Sequence, residues 1–424
     1  MQSPLARSLP GTTATSPKAL RPEGNAVTNL AQSSRRSQFV TGATGFVGAA
    51  LVLEILDRTT DPVLCVVRKK ARGQSPRSRL LTALVDTANG SGRPDLADRL
   101  DPRCSVVEGD LLFPRAGIDS SSLGTVSDFW HCAASLKFSQ DDRDEIFEHN
   151  VEGTKHAIEL AKSLDCKIFN YISTAYVAGS SEGLIAESPA ASKSSLNNCY
   201  EESKLEAEQI VAESGLPFRI IRPSIVLGYS STRWSSSESG FYGYLKNIAQ
   251  LNRFLESERK RSILRELTVP GNPDARLNLV PVDLVASQAL RISMSQSSAR
   301  YFHVCSGTSP TLGEMQRHIM PKIGFAGPWI SRDANRGAHP TYDQLIDNGL
   351  AFYKSYLIGV KEFSRANTLA AIGEDETTEP ITLEELSHYA HRFLMDRRLL
   401  PSNQAALLTD RPNPPPQSAW RAPD

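Results

Sequence analysis

Tyr200 and Lys204 stand four apart in "YEESK", a spacing that places both on one face of a helix. An ammonium beside a phenol favours the phenolate, so the pair is expected to lower the tyrosine pKa toward neutrality and let it donate or accept a proton. Upstream, "YISTAYVAG" closes a strand with Ser173 and Thr174, either of which could hold a substrate carbonyl through its hydroxyl. Such a set serves proton transfer at a carbonyl, and the rest of the chain has to position it against a cofactor.

The cofactor signal is "TGATGFVG", Thr41 to Gly48, between a short apolar run and an amphipathic stretch. Gly42 permits a tight turn out of a strand, Gly45 lets backbone N–H groups approach a pyrophosphate, and Gly48 lets the next helix pack closely. Thr44, Phe46 and Val47 complete the turn, and the helix N-terminus favours phosphate charge. At the end of the second strand, "CVVRKK" puts Arg68 where an acid would bind the ribose hydroxyls of NAD(H), with Lys69, Lys70, Arg72, Arg77 and Arg79 close behind. A guanidinium takes a 2′-phosphate bidentately and a carboxylate repels it, so NADP(H) is expected rather than NAD(H).

In "EGDL" after the third strand, Asp110, with Leu111 beside it, is placed to accept a hydrogen bond from an adenine amino group. The small residues Ala133 and Ala134 in "HCAAS", after the fourth strand, would let the cofactor lie flat on the backbone. His131, beside Trp130 on a strand, reads as a satisfied, half-buried histidine outside the site.

These motifs need a scaffold that brings strand ends together. From Gln38, "QFVT", "PVLCVV", "RCSVVEG", "SDFWHCA", "CKIFNYIS" and "PFRIIRP" read as near-continuously apolar strands. Helical periods such as "FVGAALVLEILDR", "DEIFEHNVEGTKHAIELAKSL" and "YEESKLEAEQIVAES" alternate with them. The pattern predicts an α/β fold, a doubly wound parallel sheet of Rossmann type, with a smaller C-terminal substrate-binding region over the carboxyl ends of its strands. We expect a disordered tail over 1–36, a cofactor domain over 37–228 and a mainly substrate-binding region over 229–400. Elements around 276–306 should return to the core, and 401–424 should be a disordered Pro-rich tail. The aromatic stretch "FYGYLKNIAQLNRFLESE" reads as a helix that either lines an apolar pocket or packs a core.

The bulk composition excludes other classes. The 424 residues carry 47 Lys plus Arg against 47 Asp plus Glu, which gives no global electrostatic case for nucleic acid or an anionic membrane. Six scattered cysteines without a CxxC pair, and no His at ligand spacing, predict reduced thiols and no metal. With no long apolar run and a mean hydropathy of −0.30, a cytoplasmic protein without an integral membrane segment is expected. The Ser-, Thr- and Pro-rich start has the composition of a transit peptide but lacks its amphipathic helix.

Taken in order, GxxGxxG, Asp110, Ala133-Ala134, Asn150 in "HNVEGT", "STA", YxxxK, "RPS" and "NLVPVDLV" resemble the extended short-chain dehydrogenase/reductase family from Gln38 to Ser306. "TGATGFVG", "RSRL", "EGDLLFP", "HCAASLKF", "NVEGT" and "STAYV" resemble its thioester reductase and fatty acyl-CoA reductase branch, the male-sterility type. The resemblance implies Thr174 as the catalytic hydroxyl, with Ser173 structural, Tyr200 as proton donor, and Lys204 on the nicotinamide ribose. It further implies that Asn150 supports the catalytic helix, through an ordered water in one form, that Arg68 and Arg79 grip the 2′-phosphate, and that Pro223 and Ser224 lie beside the nicotinamide.

The function expected is NADPH-dependent reduction of an acyl thioester, carried by CoA or a carrier protein, to an aldehyde or alcohol. The alternatives are an NADP(H)-dependent dehydrogenase of a bulky apolar ketone or alcohol (steroid-like, polyketide or quinolone-type) and a non-catalytic NADP(H)-binding regulator. The chain has no adenylation or carrier domain of its own, so its substrate is expected in trans. No nucleic acid is expected as a partner, and a homodimer is allowed.

Overall fold

The computed structural model describes residues 36–69, 73–190, 196–307, 309–333, 337–350, 353, 356–373 and 380–400. The two expected tails and the basic residues Lys70 and Arg72 lie outside the described residues, apart from Arg36. In chain order the strands are β1 (Gln38–Thr41), β2 (Val63–Val67), β3 (Cys104–Glu108), β4 (Asp128–His131), β5 (Ile168–Ile172), β6 (Gly183–Ile185) and β7 (Phe218–Pro223). They continue as β8 (Ile225–Leu227), β9 (Thr268–Pro270), β10 (Leu279–Pro281), β11 (Tyr301–Val304), β12 (Trp329–Ser331) and β13 (Lys361–Phe363). The helices are α1 (Phe46–Arg58), α2 (Pro76–Gly90), α3 (Leu100–Arg103), α4 (Arg143–Phe147), α5 (Gly153–Ser163), α6 (Cys199–Glu213) and α7 (Phe241–Ser257). They continue as α8 (Arg261–Leu264), α9 (Val282–Met294), α10 (Leu312–Lys322), α11 (Pro340–Leu350), α12 (Ala366–Ile372) and α13 (Leu383–Asp396).

Seven strands form one sheet in the order β11-β7-β5-β4-β1-β2-β3, every pairing parallel. This is the doubly wound sheet expected from the alternation of apolar runs and helical periods. Side chains alternate across the pleat: Phe39, Leu64 and Val66 enter one apolar cluster while Val40, Cys65 and Val67 enter the other. Both faces are therefore covered, one by α1, α2 and α9 and the other by α5 and α6. Phe39, Phe129 and Phe169 are in register on adjacent strands and stack with centroids 4.9 and 5.2 Å apart.

The strand order reverses between β1 and β4, so the loops after these strands diverge and leave a crevice at the carboxyl edge. Within residues 276–306, β10 pairs with β8 in a separate two-stranded sheet, α9 packs against α1, and β11 is the edge strand of the seven-stranded sheet beside β7. A separate apolar core, including Leu245, Ile248, Met315, Ile319 and Phe393, joins α7, α10, α11 and α13 above that edge.

Local chemistry explains the helix starts. Ser75 accepts from Ser78 N at 3.1 Å with Pro76 at the first position of α2, and Asn198 accepts from Glu201 N at 2.9 Å to open α6. Thr311 with Glu314 and Thr382 with Glu385 form capping boxes on α10 and α13. The helix expected over 144–164 is broken in its middle: Glu148–Glu152 is a π-helical turn between α4 and α5.

Candidate active site

Because the sheet is parallel, the segments after β1, β4, β5 and β7 all emerge at one edge, and a cavity of about 310 Å³ opens there. Its wall contains Gly42, Gly45, Phe46, Val47, Gly48, Ala134, Ser173, Thr174, Tyr200, Lys204, Pro223 and Ser224. The same cavity continues without a break between α7 and α10, along Phe241, Tyr244, Leu245, Met315, Ile319 and Met320. The aromatic helix α7 thus both lines the pocket and packs the second core.

Gly42 has φ +74°, and a Cβ there would lie 2.6 Å from Ala133 N. A Cβ on Gly48 would lie 2.2 Å from Gly42 O, so the turn is folded directly under the first turn of α1. A Cβ on Gly45 would meet only Gly42 O, at 3.2 Å, which leaves the outer side of the turn clear. No side chain caps α1 at Gly45, so its first-turn N–H groups face the cavity edge without a side-chain acceptor. A tight backbone with clear space and uncapped donors fits a dinucleotide pyrophosphate.

The remaining cofactor candidates lie outside the cavity wall. Thr44 is exposed on the turn, and Ala133 meets it through its backbone. Arg68 is exposed at the end of β2, and Arg79, on the first turn of α2, donates to the Arg68 carbonyl, which keeps the two guanidinium-bearing residues together. Asp110 accepts from Leu112 N at 3.2 Å, and Leu111 O accepts from His156 Nδ1 at 2.7 Å; both residues shape the loop after β3.

Among the residues expected to be catalytic, Thr174 is 8% exposed and its Oγ1 accepts from Tyr176 N at 3.2 Å, which leaves its O–H to donate. Lys204, on α6, is fully buried; Nζ donates to Ile172 O at 2.7 Å and rests 4.2 Å over the Tyr171 ring. Burial pushes Lys204 down to about 7, with Glu208 and Cys132 acting against that shift. The expected lowering of the Tyr200 phenol is corrected by the structure. Burial pushes it up, and the neighbouring Glu201 carboxylate pushes it further. Tyr200 is therefore a neutral phenol at pH 7, a state suited to donating a proton.

Asn150 does not line the cavity. It is 1% exposed in the π-helical turn; Oδ1 accepts from Ser135 N at 2.6 Å, and Nδ2 donates to Ser135 O at 3.1 Å and Ser203 Oγ at 2.9 Å. Ser203 Oγ in turn donates to Tyr200 O at 2.8 Å. Asn150 thus joins the loop after β4 directly to α6, with no need of a bridging water. His131 is buried, with Nδ1 2.8 Å from Thr41 Oγ1 and Nε2 3.1 Å from Thr154 Oγ1, and burial pushes its pKa down to about 3.

Sequence reading missed three contributors. One is α2, which carries Arg79 and was announced by Ser75-Pro76; another is Ser203, invisible without the Asn150 contact. The third is Tyr356, from the segment after α11, which enters the cavity wall and approaches the start of α6. Among the described residues no group of His, Cys, Asp and Glu could hold a metal, and no helix is long and apolar enough to cross a membrane.

The doubly wound parallel sheet and the glycine turn at its carboxyl edge together define a Rossmann-type dinucleotide-binding protein. The family model for the male sterility protein, an NAD-binding domain, matches residues 40–289, and the chain belongs to this family. Its cofactor class is accordingly a nicotinamide dinucleotide. The chain is 26% identical over 329 residues to fatty acyl-CoA reductase 1 of Xenopus laevis, covering 67% of this chain and 61% of that protein. It spans 51% to 61% of the length of such curated relatives. Among solved structures it is similar to the terminal R domain from the myxalamid PKS-NRPS biosynthetic pathway, with a TM-score of 0.70, 26% identity, and 90% and 94% of the two chains covered. The reductase domain of a nonribosomal peptide synthetase from Mycobacterium tuberculosis shares the fold, with a TM-score of 0.62, 20% identity, and 88% and 95% covered.

Proposed function

We propose that this chain is an NADPH-dependent reductase of acyl thioesters, carried by CoA or by a carrier protein's phosphopantetheine. The supporting observation is one continuous cavity that runs from the glycine turn, past Thr174, Tyr200 and Lys204, into an apolar wall on α7 and α10. Residues 37–228 serve the cofactor and 229–400 mainly the substrate. The relatives point the same way, being named as fatty acyl-CoA reductases and as terminal reductase domains.

NADPH, when bound, would supply the hydride to the acyl carbon. The turn at Gly42–Gly48 would hold its pyrophosphate, Arg68 and Arg79 its 2′-phosphate, and Lys204 its nicotinamide ribose. Thr174 and Tyr200 donate hydrogen bonds to the acyl oxygen as it becomes an oxyanion, where preorganised donors act most strongly. Burial keeps the Tyr200 proton in place until that oxygen is basic enough to take it. The hemithioacetal then releases the thiol, which needs no added acid because its pKa is low. Aldehyde remains, and exchange of the spent cofactor for a second NADPH would let the same residues support its reduction to the alcohol. The wall of α7 and α10 excludes water from these steps.

The test is NADPH consumption across a panel of acyl-CoAs, acyl carriers and bulky ketones, with product identification. The expected result is aldehyde or alcohol with stoichiometric free thiol, falling about 10² to 10⁴-fold in Tyr200→Phe. Turnover of a cyclic ketone without thiol release from any thioester would replace this reading by the ketone dehydrogenase one.

A further inference from the structure

Glu201 directly follows Tyr200 and occupies the third position of α6, where a glutamate ordinarily reaches back to the N-cap backbone. Glu314 and Glu385 do so on α10 and α13, each accepting from the N-cap N–H at the surface (2.8 and 2.9 Å). Glu201 behaves differently. It is 0% exposed, accepts from Asn197 N at 2.9 Å and Asn197 Nδ2 at 3.0 Å, and takes the Tyr356 hydroxyl as a further partner. The N-cap role belongs to Asn198, whose Nδ2 also donates to the Tyr356 hydroxyl, at 3.3 Å. A carboxylate that is fully buried although the helix is already capped is costly unless its partner matters.

Tyr356 belongs to the far region of the chain. Its ring meets Tyr176 edge-on at 4.9 Å just after Thr174, and it lines the cavity together with Leu357. Leu357 O accepts from Asn272 N at 2.7 Å, and a Cβ on Gly271 would lie 2.9 Å from Ile330 Cγ2 and 3.0 Å from Leu357 Cβ, so this segment is fixed to the apolar wall. The Glu201 carboxylate also attracts Lys361, which begins β13.

We propose that Tyr356 is a positioning residue: its hydroxyl, which accepts from Asn198 Nδ2 at the N-cap of α6 beside the buried Glu201, ties the wall of the apolar pocket to the helix that carries Tyr200 and Lys204. Filling of the pocket by a long acyl chain is thereby transmitted to the placement of the proton donor. The inference rests on the thioester reading for its substrate, and on the contacts alone for the tie. Such coupling is a free energy shared between two sites, so it shows as an advantage of pocket-filling substrates over short ones.

The experiment compares the full chain with Tyr356→Phe, which keeps the ring on Tyr176 and removes only the hydroxyl. With palmitoyl-CoA the variant's kcat should fall about tenfold more than with acetyl-CoA. An equal fall for both thioesters, or none for either, overturns the tie. Hydrogen exchange with NADPH alone provides a second measurement. Amides at Cys199–Glu202 should exchange several-fold faster in the variant while those of β1, β4 and β5 do not change. If the parent protein turns over neither thioester, the substrate reading fails, and unchanged exchange at Cys199–Glu202 would still sink the tie separately.

Discussion

Glu208 holds Arg222 in a bidentate pair, Nε to Oε1 at 2.9 Å and Nη2 to Oε2 at 2.7 Å, one turn beyond Lys204 on α6. The side chains are 3% and 2% exposed, Arg222 Nη1 donates to Ser188 O at 2.8 Å, and the guanidinium lies 5.0 Å over the Tyr301 ring. Every charged group of the pair is thus matched, and the pair joins α6 to β7 and β11. Removing one partner would leave the other charge buried alone, which costs about 3–5 kcal/mol. Glu208→Gln should lower unfolding free energy by several kcal/mol in urea titration, and Glu208→Leu with Arg222→Met should recover most of it. A single variant as stable as the parent would contradict this account.

Lys204 contributes to stability with the opposite sign. Burial lowers its folded pKa to about 7, below the ordinary lysine value of about 10.4. Below pH 7 the folded and unfolded chains both carry the proton, and the whole cost of burying it is felt. Between about 7 and 10.4 the folded chain releases the proton first, so this cost declines as pH rises. Lys204→Met should therefore melt above the parent at pH 6, with the gap closing toward pH 10, while turnover is lost. A gap that widens with pH would refute the assignment.

The parts of this site that were legible in the sequence are those fixed by local rules. Gly42, Gly45 and Gly48 could be read as one turn because a strand that folds directly under the next helix tolerates few other residues, and Tyr200 with Lys204 as neighbours because a helix brings residues four apart onto one face. The alternation of near-continuously apolar runs with helical periods was enough to read the parallel sheet. What was not legible depends on distant contacts. The protonation of Tyr200 follows from burial and Glu201 rather than from Lys204, and Tyr356 reaches α6 only through the folding of the far region. The π-helical turn at Glu148–Glu152 leaves no periodic signature, because a single widened turn barely alters the helical spacing around it.

Glycines in this fold separate into those the backbone requires and those it tolerates. At Gly48 an added Cβ would lie 2.2 Å from Gly42 O, and neither backbone can move without opening the turn. At Gly153, in α5, the nearest atom would be Leu111 Cβ at 3.7 Å, an ordinary contact. Gly48→Ala should lose stability and cofactor affinity together, whereas Gly153→Ala should be neutral or gain about 0.5–1 kcal/mol from the reduced freedom of the unfolded chain. Thermal melts with and without NADPH check both. Equal tolerance at the two positions would show that the turn is looser than its contacts imply.

Arg68 and Arg79 form the remaining electrostatic element. Arg79 donates to the Arg68 carbonyl, so the first turn of α2 holds the two side chains at the end of β2, where the outer ribose of a dinucleotide lies in this fold. Neither guanidinium pairs with a carboxylate among the described residues, and Arg68 is open to solvent. A charge-assisted contact to a phosphate is worth roughly 1.5–3 kcal/mol, or about 10- to 100-fold in affinity. Arg68→Asp should therefore cut the ratio of kcat/KM for NADPH over NADH by at least about tenfold, chiefly through the KM for NADPH, with turnover on NADH preserved. Because the site is exposed, raising the ionic strength should narrow the parent's preference toward that of the variant. An undiminished preference for NADPH in Arg68→Asp would remove the 2′-phosphate from this position and return the cofactor to NAD(H).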